Sequence, residues 1–216
     1  MSLLPIHRGR DALIVTDVQN DFCSGGALAV GGGESIIAPI NALSPRFTQV
    51  ILTQDWHPAD HASFASAHSG KRPYEAIELR YGRQTLWPDH CVQGSRGAEF
   101  HPALRTGPAR LIVRKGIHRE IDSYSTFFEN DRRTPTGLGG ALGELGIRRV
   151  FLTGLATDFC VLYSALDARR LGFETIVIEE ACRAIDLEGS LERALGEMRA
   201  AGIVIASAAQ AGFGLG

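Results

Sequence analysis

The chain has 216 residues, 44% hydrophobic and 21% charged, which is the balance of a soluble globular protein with one substantial core. Its 22 Lys plus Arg against 24 Asp plus Glu give a formal charge of -2, excluding the clustered positive surface that nucleic acid or an anionic membrane demands. No apolar run approaches the ~20 residues of a membrane-spanning helix, and Met1 to Asp11 lacks the apolar core of a signal peptide. A cytoplasmic protein is expected, with the cysteines at 23, 91, 160 and 182 reduced rather than paired.

In chain order, Ala12 to Val18 (ALIVTDV) is a nearly continuous β-branched run and reads as a strand covered on both faces. Gly31, Gly32 and Gly33 mark a turn before a weak helical stripe of Ile36, Ile37 and Ile40. Val50 to Thr53 is a second strand. Trp56 to Pro108 then breaks the rhythm: it is rich in His, Pro and Gly and carries little periodicity. A stretch of that length without elements, inside a compact domain, is functional rather than filler. Leu111 to Val113 is a third strand.

Leu138, Ala141, Leu142 and Leu145 fall at helical spacing, with Thr134 as cap, Pro135 in the first turn and Gly146 as terminator. Val150 to Thr153 is a fourth strand. Phe159, Leu162, Tyr163 and Leu166 give a helix ending at Gly172, and Thr175 to Ile178 a fifth strand. Leu187, Leu191, Leu195 and Met198 form the next stripe, with Asp186 as N-cap and Gly202 beyond its end. Ile203 to Ile205 is the sixth strand, and Gln210 to Gly216 reads as a loose tail. This alternation implies right-handed βαβ crossovers and a single three-layer α/β/α domain around a mainly parallel sheet, over residues 1–216.

Parallel sheets bind ligands beyond the carboxyl ends of their strands. Asp17 ends the first strand, Asp55 the second, Lys115 follows the third, and Cys160 follows the fourth on a turn into a helix. These four should share one rim. A thiol near a helix N-terminus and an ammonium would have its thiolate stabilised, and free N–H groups of the same turn could hold an oxyanion. The bland alternative is a buried core cysteine. Asp55, His57 and His61, one carboxylate and two imidazoles within seven residues, suit a borderline divalent ion, and His90 could add a third imidazole from the far end of the 56–108 loop region. Loop histidines can equally be solvated. Phe22, Trp87 and Tyr124 are either an aromatic wall for a flat ring or core.

Five ordered blocks then carry a resemblance over nearly the whole chain. They are Asp17-Val18-Gln19-Asn20-Asp21-Phe22; Thr53-Gln54-Asp55-Trp56-His57-Pro58 with His61-Ala62-Ser63-Phe64; Trp87-Pro88-Asp89-His90-Cys91-Val92-Gln93-Gly94; Lys115-Gly116 with Asp122-Ser123-Tyr124-Ser125; and Gly154-Leu155-Ala156-Thr157-Asp158-Phe159-Cys160-Val161. In this pattern the chain resembles the nicotinamidase branch of the isochorismatase-like hydrolase superfamily.

The resemblance implies a Rossmann-like, six-stranded parallel sheet and an amidase acting on nicotinamide through a triad of Asp17, Lys115 and Cys160. It also implies one divalent transition metal (zinc, iron or manganese) on Asp55, His57, His61 and His90, an oxyanion hole from the backbone of Ala156 and Cys160, and a cis peptide at Leu155–Ala156. Phe22, Trp87 and Tyr124 would enclose the pyridine ring, and a homo-oligomer is expected. Isochorismatases of this scaffold lack the cysteine, and the carbamoylsarcosine and ureidoacrylate amidases generally lack the histidines. The competing readings are a cysteine amidase for another small amide, a nicotinamide- or metal-binding protein without turnover, and a redox-responsive thiol protein.

Overall fold

The computed structural model describes residues 4–212. Six strands form one parallel sheet: β1 (Asp11–Thr16), β2 (Gln49–Asp55), β5 (Leu111–Lys115), β6 (Arg149–Leu155), β7 (Glu174–Arg183) and β8 (Val204–Ala206), in the spatial order β5-β2-β1-β6-β7-β8. A strand's side chains alternate between its two faces, so β1 feeds two cores at once. Leu13 and Val15 join one apolar cluster, and Ala12 and Ile14 the other. Both faces are dry, which is why these strands read as continuous apolar runs rather than alternating ones. Each fully buried Leu, Ile or Val side chain among them contributes about 1.5–3 kcal/mol.

Helix α1 (Ile37–Leu43) packs Ile37, Ile40 and Leu43 on the first face. Helices α2 (Leu138–Glu144), α3 (Leu162–Arg170) and α4 (Ser190–Ala200) cover the other with Leu138, Leu142, Leu162, Ala165, Ala168, Ala194 and Met198. The three-layer arrangement and the six parallel strands are those expected. Among the described residues, no helix is long and apolar enough to cross a membrane.

Several local expectations change. Strand β1 stops at Thr16, and Asp17 turns out of it at φ 51°. Thr134 and Pro135 do not start α2. Pro135 bridges Phe128 and Thr134 bonds to Asp131, while the helix begins after Gly137, whose φ of 94° suits glycine. Asp186 lies four residues ahead of α4, in the left-handed region, and still accepts a hydrogen bond from Leu191 N. The tail is not loose as far as Gly212: Gln210 O accepts a bond from Leu4 N, and Ala211 is buried. Residues 213–216 lie outside the described residues.

The 56–108 region is not without elements. An antiparallel hairpin, β3 (Ala76–Leu79) and β4 (Gly82–Thr85), stands in it. Its strands are four residues each and, apart from Gln84, exposed or half-buried, too short for a period of two to stand out in the sequence.

Candidate active site

Asp17, Asp55, Lys115 and Cys160 leave the carboxyl ends of β1, β2, β5 and β6, four neighbouring strands, and converge. Lys115 is fully buried. Its Nζ donates to Asp55 Oδ1 at 2.5 Å and Ser123 O at 2.7 Å, stands 2.9 Å from Asp17 Oδ2, and reaches Cys160 Sγ at 3.5 Å. Burial alone would lower the Lys115 pKa, but the carboxylates of Asp17 and Asp55 outweigh it and raise it well above the usual value. The lysine is a fixed cation.

Its two carboxylates are not equivalent. Asp55 is held well below the usual carboxylate range: Lys115 and His57 overcome the cost of burial. Asp17 is pushed up, because burial outweighs the attraction of Lys115 and the charge of Asp55 adds to it. Thr53 orients Asp17, accepting its backbone N–H at 3.2 Å and donating to its Oδ1 at 2.6 Å. Oδ2 makes no directed hydrogen bond among the described residues. Cys160 Sγ, Asp17 and Asp55 each present an atom within 4.8 Å of the others. The expected stabilised thiolate is not the resting state. Burial raises the Cys160 pKa well above its usual value, Lys115 opposes that, and the two carboxylates reinforce it. Cys160 rests as a thiol beside a carboxylate able to take its proton.

The cysteine sits in a wide helical turn, Thr157–Val161, running into α3. The peptide Leu155–Ala156 that opens it is cis. Gly154 makes the entry possible: its φ is 114°, and a Cβ there would lie 2.0 Å from Thr16 O. Asp158, buried in the same turn, accepts bonds from Ile185 N, Asp186 N and Ser190 Oγ, which ties the β7–α4 loop over the site.

Asp55 also faces the histidines. Its Oδ2 lies 3.5 Å from His57 Nε2 and 3.7 Å from His90 Nε2. Ligand atoms on a tetrahedral ion at ~2.1 Å are separated by roughly 3.4 Å, so these three fit one ion. The tautomers agree. His57 Nδ1 donates to Gly116 O at 3.0 Å and His90 Nδ1 to Pro88 O at 2.7 Å, leaving both Nε2 lone pairs free. His57 Nε2 is buried without a hydrogen-bond partner among the described residues. A Cβ on Gly116 would strike the His57 ring at 2.3 Å, so glycine is required there.

His61 is beside this group but differs from it. Its ring is 4.3 Å from that of His57, and its close ligand-type neighbours are His57 and Asp122 rather than Asp55 and His90. Ser63 N donates to its Nδ1 at 3.3 Å, placing the proton on Nε2, which donates to Ile121 O at 3.2 Å. Burial and the neighbouring His57 lower its pKa to about 4, so the ring is neutral.

A cavity opens onto Cys160, Asp55 and His90, and Phe22, Trp87 and Tyr124 line it. Phe159, Leu28, Ile185, Ala156 and Asp122 line it too. Phe159 was read from the sequence as part of a helical stripe and quoted in a block without a role, although it packs 4.9 Å from Trp87. Asp122 was quoted in a block but given no role, since a lone carboxylate with no ligand spacing carries no signal. Gln19 was passed over too: its side chain clamps Asp55 from both sides, accepting from Asp55 N and donating to Asp55 O, each at 2.8 Å.

The isochorismatase domain matches residues 11–210. The chain belongs to the isochorismatase family. Within it, the chain is 56% identical to a nicotinamidase of Acinetobacter baylyi over 192 residues, 89% of this chain and 90% of the relative. Among solved structures it superposes on an Acinetobacter baumanii nicotinamidase/pyrazinamidase with TM-score 0.92 and 55% identity, covering 93% and 97% of the two chains. A pyrazinamidase of Pyrococcus horikoshii, solved in complex with zinc, superposes with TM-score 0.75 and 36% identity, covering 92% and 99%. This isochorismatase-family chain therefore spans nearly the full length of relatives that are amidases.

Proposed function

We propose that the chain is a nicotinamidase, hydrolysing nicotinamide to nicotinate and ammonia through a thioester on Cys160. The observation that carries this is the shared position of Asp55, which touches Lys115 with one oxygen and faces His57 and His90 with the other. A nucleophile cluster and a metal-competent cluster thus open onto one small aromatic cavity. The close relatives named for nicotinamide and pyrazinamide hydrolysis support the same substrates here.

Asp17 Oδ2 takes the Cys160 proton, and the sulfur attacks the carboxamide carbon. The backbone N–H groups of Ala156 and Cys160 hold the resulting oxyanion. Asp17 returns its proton to the departing nitrogen, ammonia leaves, and water then cleaves the thioester with Asp17 again as base. Lys115 stays protonated throughout and keeps the two carboxylates in register. Phe22, Trp87 and Tyr124 stack against and edge the ring. The residues fit one divalent ion per chain (zinc, iron or manganese), held by Asp55, His57 and His90 with His61 alongside. When bound it would supply a Lewis acid for the ring nitrogen, a positioning function. Pyrazinamide carries the same carboxamide and a ring nitrogen, and is the expected second substrate. The setting is cytoplasmic pyridine-nucleotide salvage.

Ammonia release from nicotinamide by purified, metal-replete protein tests the proposal. Turnover is expected; its absence under those conditions ends the nicotinamidase reading.

A further inference from the structure

The β3–β4 hairpin carries one side chain that is out of character with it. Its residues are exposed or half-buried except Gln84, which is 1% exposed. The Gln84 amide is inserted between two residues of the cavity wall. Nε2 is 2.7 Å from Asp122 Oδ2, 2.7 Å from Thr85 O and 3.0 Å from the Tyr124 hydroxyl. Two of these neighbours are acceptors only, which fixes the amide orientation without ambiguity. Oε1 correspondingly accepts from the Tyr81 hydroxyl at 3.1 Å and Asn130 Nδ2 at 3.2 Å. Every polar atom of Gln84 is therefore used, in a buried network whose members polarise one another.

The consequence falls on Tyr124. Its oxygen receives Trp87 Nε1–H at 3.2 Å and lies 3.0 Å from Gln84 Nε2, whose two hydrogens are shared among it, Asp122 and Thr85 O. Neither nitrogen can accept a hydrogen bond, so the hydroxyl proton is left to donate elsewhere, and Tyr124 lines the cavity. Asp122, the other wall residue Gln84 grips, has its second oxygen tied to Ser123 N at 2.8 Å and cannot swing away.

We propose that Gln84 is a positioning residue for the ligand: through Asp122 and Tyr124 it sets a polar edge on the aromatic slot, with Tyr124 as donor to an acceptor atom of a small heteroaromatic amide. The proposal rests on the nicotinamidase reading and adds a specificity element to it. Gln84 touches neither Cys160 nor the Asp55 group, so it acts on ligand affinity rather than on the bond-breaking step.

The test compares Gln84→Leu, close in size but without hydrogen bonds, with wild type. Steady-state KM and kcat for nicotinamide, nicotinate binding followed by tryptophan fluorescence, and metal content are measured together. Loss of a buried polar grip raises KM and the nicotinate Kd about tenfold, with kcat changed less than about threefold and metal content unchanged. Adding Tyr124→Phe to Gln84→Leu costs less than Tyr124→Phe costs alone, because the two act through one contact. If Gln84→Leu does not accumulate as folded protein, Gln84→Asn, which keeps the amide one methylene short, carries the same split. Unchanged KM and Kd, strictly additive mutants, or a loss of kcat that tracks lost metal would each overturn the proposal. A wild type that releases no ammonia sinks the nicotinamidase reading as well; a wild type that turns over, matched by an indistinguishable Gln84→Leu, sinks this proposal alone.

Discussion

The site is assembled from two regions built on different principles. The rim, Asp17, Asp55, Lys115 and Cys160, is carried by four adjacent parallel strands, and parallel pairing fixes where each strand ends. The loop region between β2 and β5 delivers His57, His61, Trp87 and His90 on chain with little regular structure, and there the imidazoles are oriented by individual hydrogen bonds to Gly116 O, Pro88 O, Ile121 O and Ser63. Rigid elements hold charge against charge; irregular chain tunes what each side chain presents. Asp55 has a foot in both.

The largest expected effect tests the rim alone. Cys160→Ala removes the nucleophile while leaving a small apolar side chain in a buried position, so turnover should fall by about a thousandfold or more with metal content intact. A variant that keeps near-normal ammonia release would end the thioester mechanism. Next comes the residue that joins the regions. Asp55→Asn strips a charge from both Lys115 and the histidine cluster, so metal content and turnover should fall together. His90→Ala should lose metal while Lys115 keeps its ion pairs, and turnover should fall by about a hundredfold, as for lost metal ligation. Equal metal content in wild type and both variants would separate the clusters and undo the assignment.

The rim was legible in the sequence because strand ends are marked by where an apolar run stops: Asp17, Asp55 and Lys115 stand at or just past such a stop, and Cys160 on the turn that follows one. The six strands were legible for the same reason. Gln84 and Asp122 were not. Neither spacing nor residue type announces a glutamine that matters because its four-residue strand lies against the cavity. The left-handed Asp17, which ends β1 two residues early, and the start of α2 after Gly137 rather than Thr134 depend on backbone angles that apolar periodicity does not encode. His61 was legible as a candidate ligand, but not the hydrogen bonds its ring makes. Its spacing from His57 suits a ligand, yet which ring nitrogen carries the proton follows from Ser63 and Ile121, contacts made only in the fold.

That tautomer difference sharpens the comparison within the loop region. His57 and His90 hold their Nδ1 protons on carbonyls and present free Nε2 atoms, whereas His61 has its Nε2 proton engaged with Ile121 O. His61→Ala should therefore weaken metal affinity less than tenfold, against a much larger loss for His57→Ala, both read by competition with a chromogenic chelator. Equal losses would mean that His61 flips or rotates to become a full ligand when the ion binds.

The smallest effect lies behind the rim and concerns stability rather than turnover. Glu129 is buried, its Oε2 has no partner among the described residues, and its pKa is pushed up to about 7 from 4.5 by burial. Ser123, the Lys115 charge and Gly116 N–H pull it down, and Asp122 pushes it further up. An acid whose folded pKa is raised favours the folded state only while protonated in it. Between about pH 4.5 and pH 7 the unfolded chain gives up this proton and the folded chain keeps it, so stability falls as pH rises and stays reduced above pH 7. Glu129→Gln keeps the shape and has no proton to lose. Its melting temperature should match or trail wild type near pH 4.5 and exceed it by several degrees at pH 8, since ~2.5 pKa units correspond to roughly 3 kcal/mol at most. Lys115 already has Asp17 and Asp55 as counter-charges, so losing the partial charge of Glu129 should leave kcat nearly unchanged. Parallel melting profiles for the two proteins from pH 4.5 to 8 would show that water or a cation reaches Glu129, and that the packing behind Lys115 is looser than its burial implies.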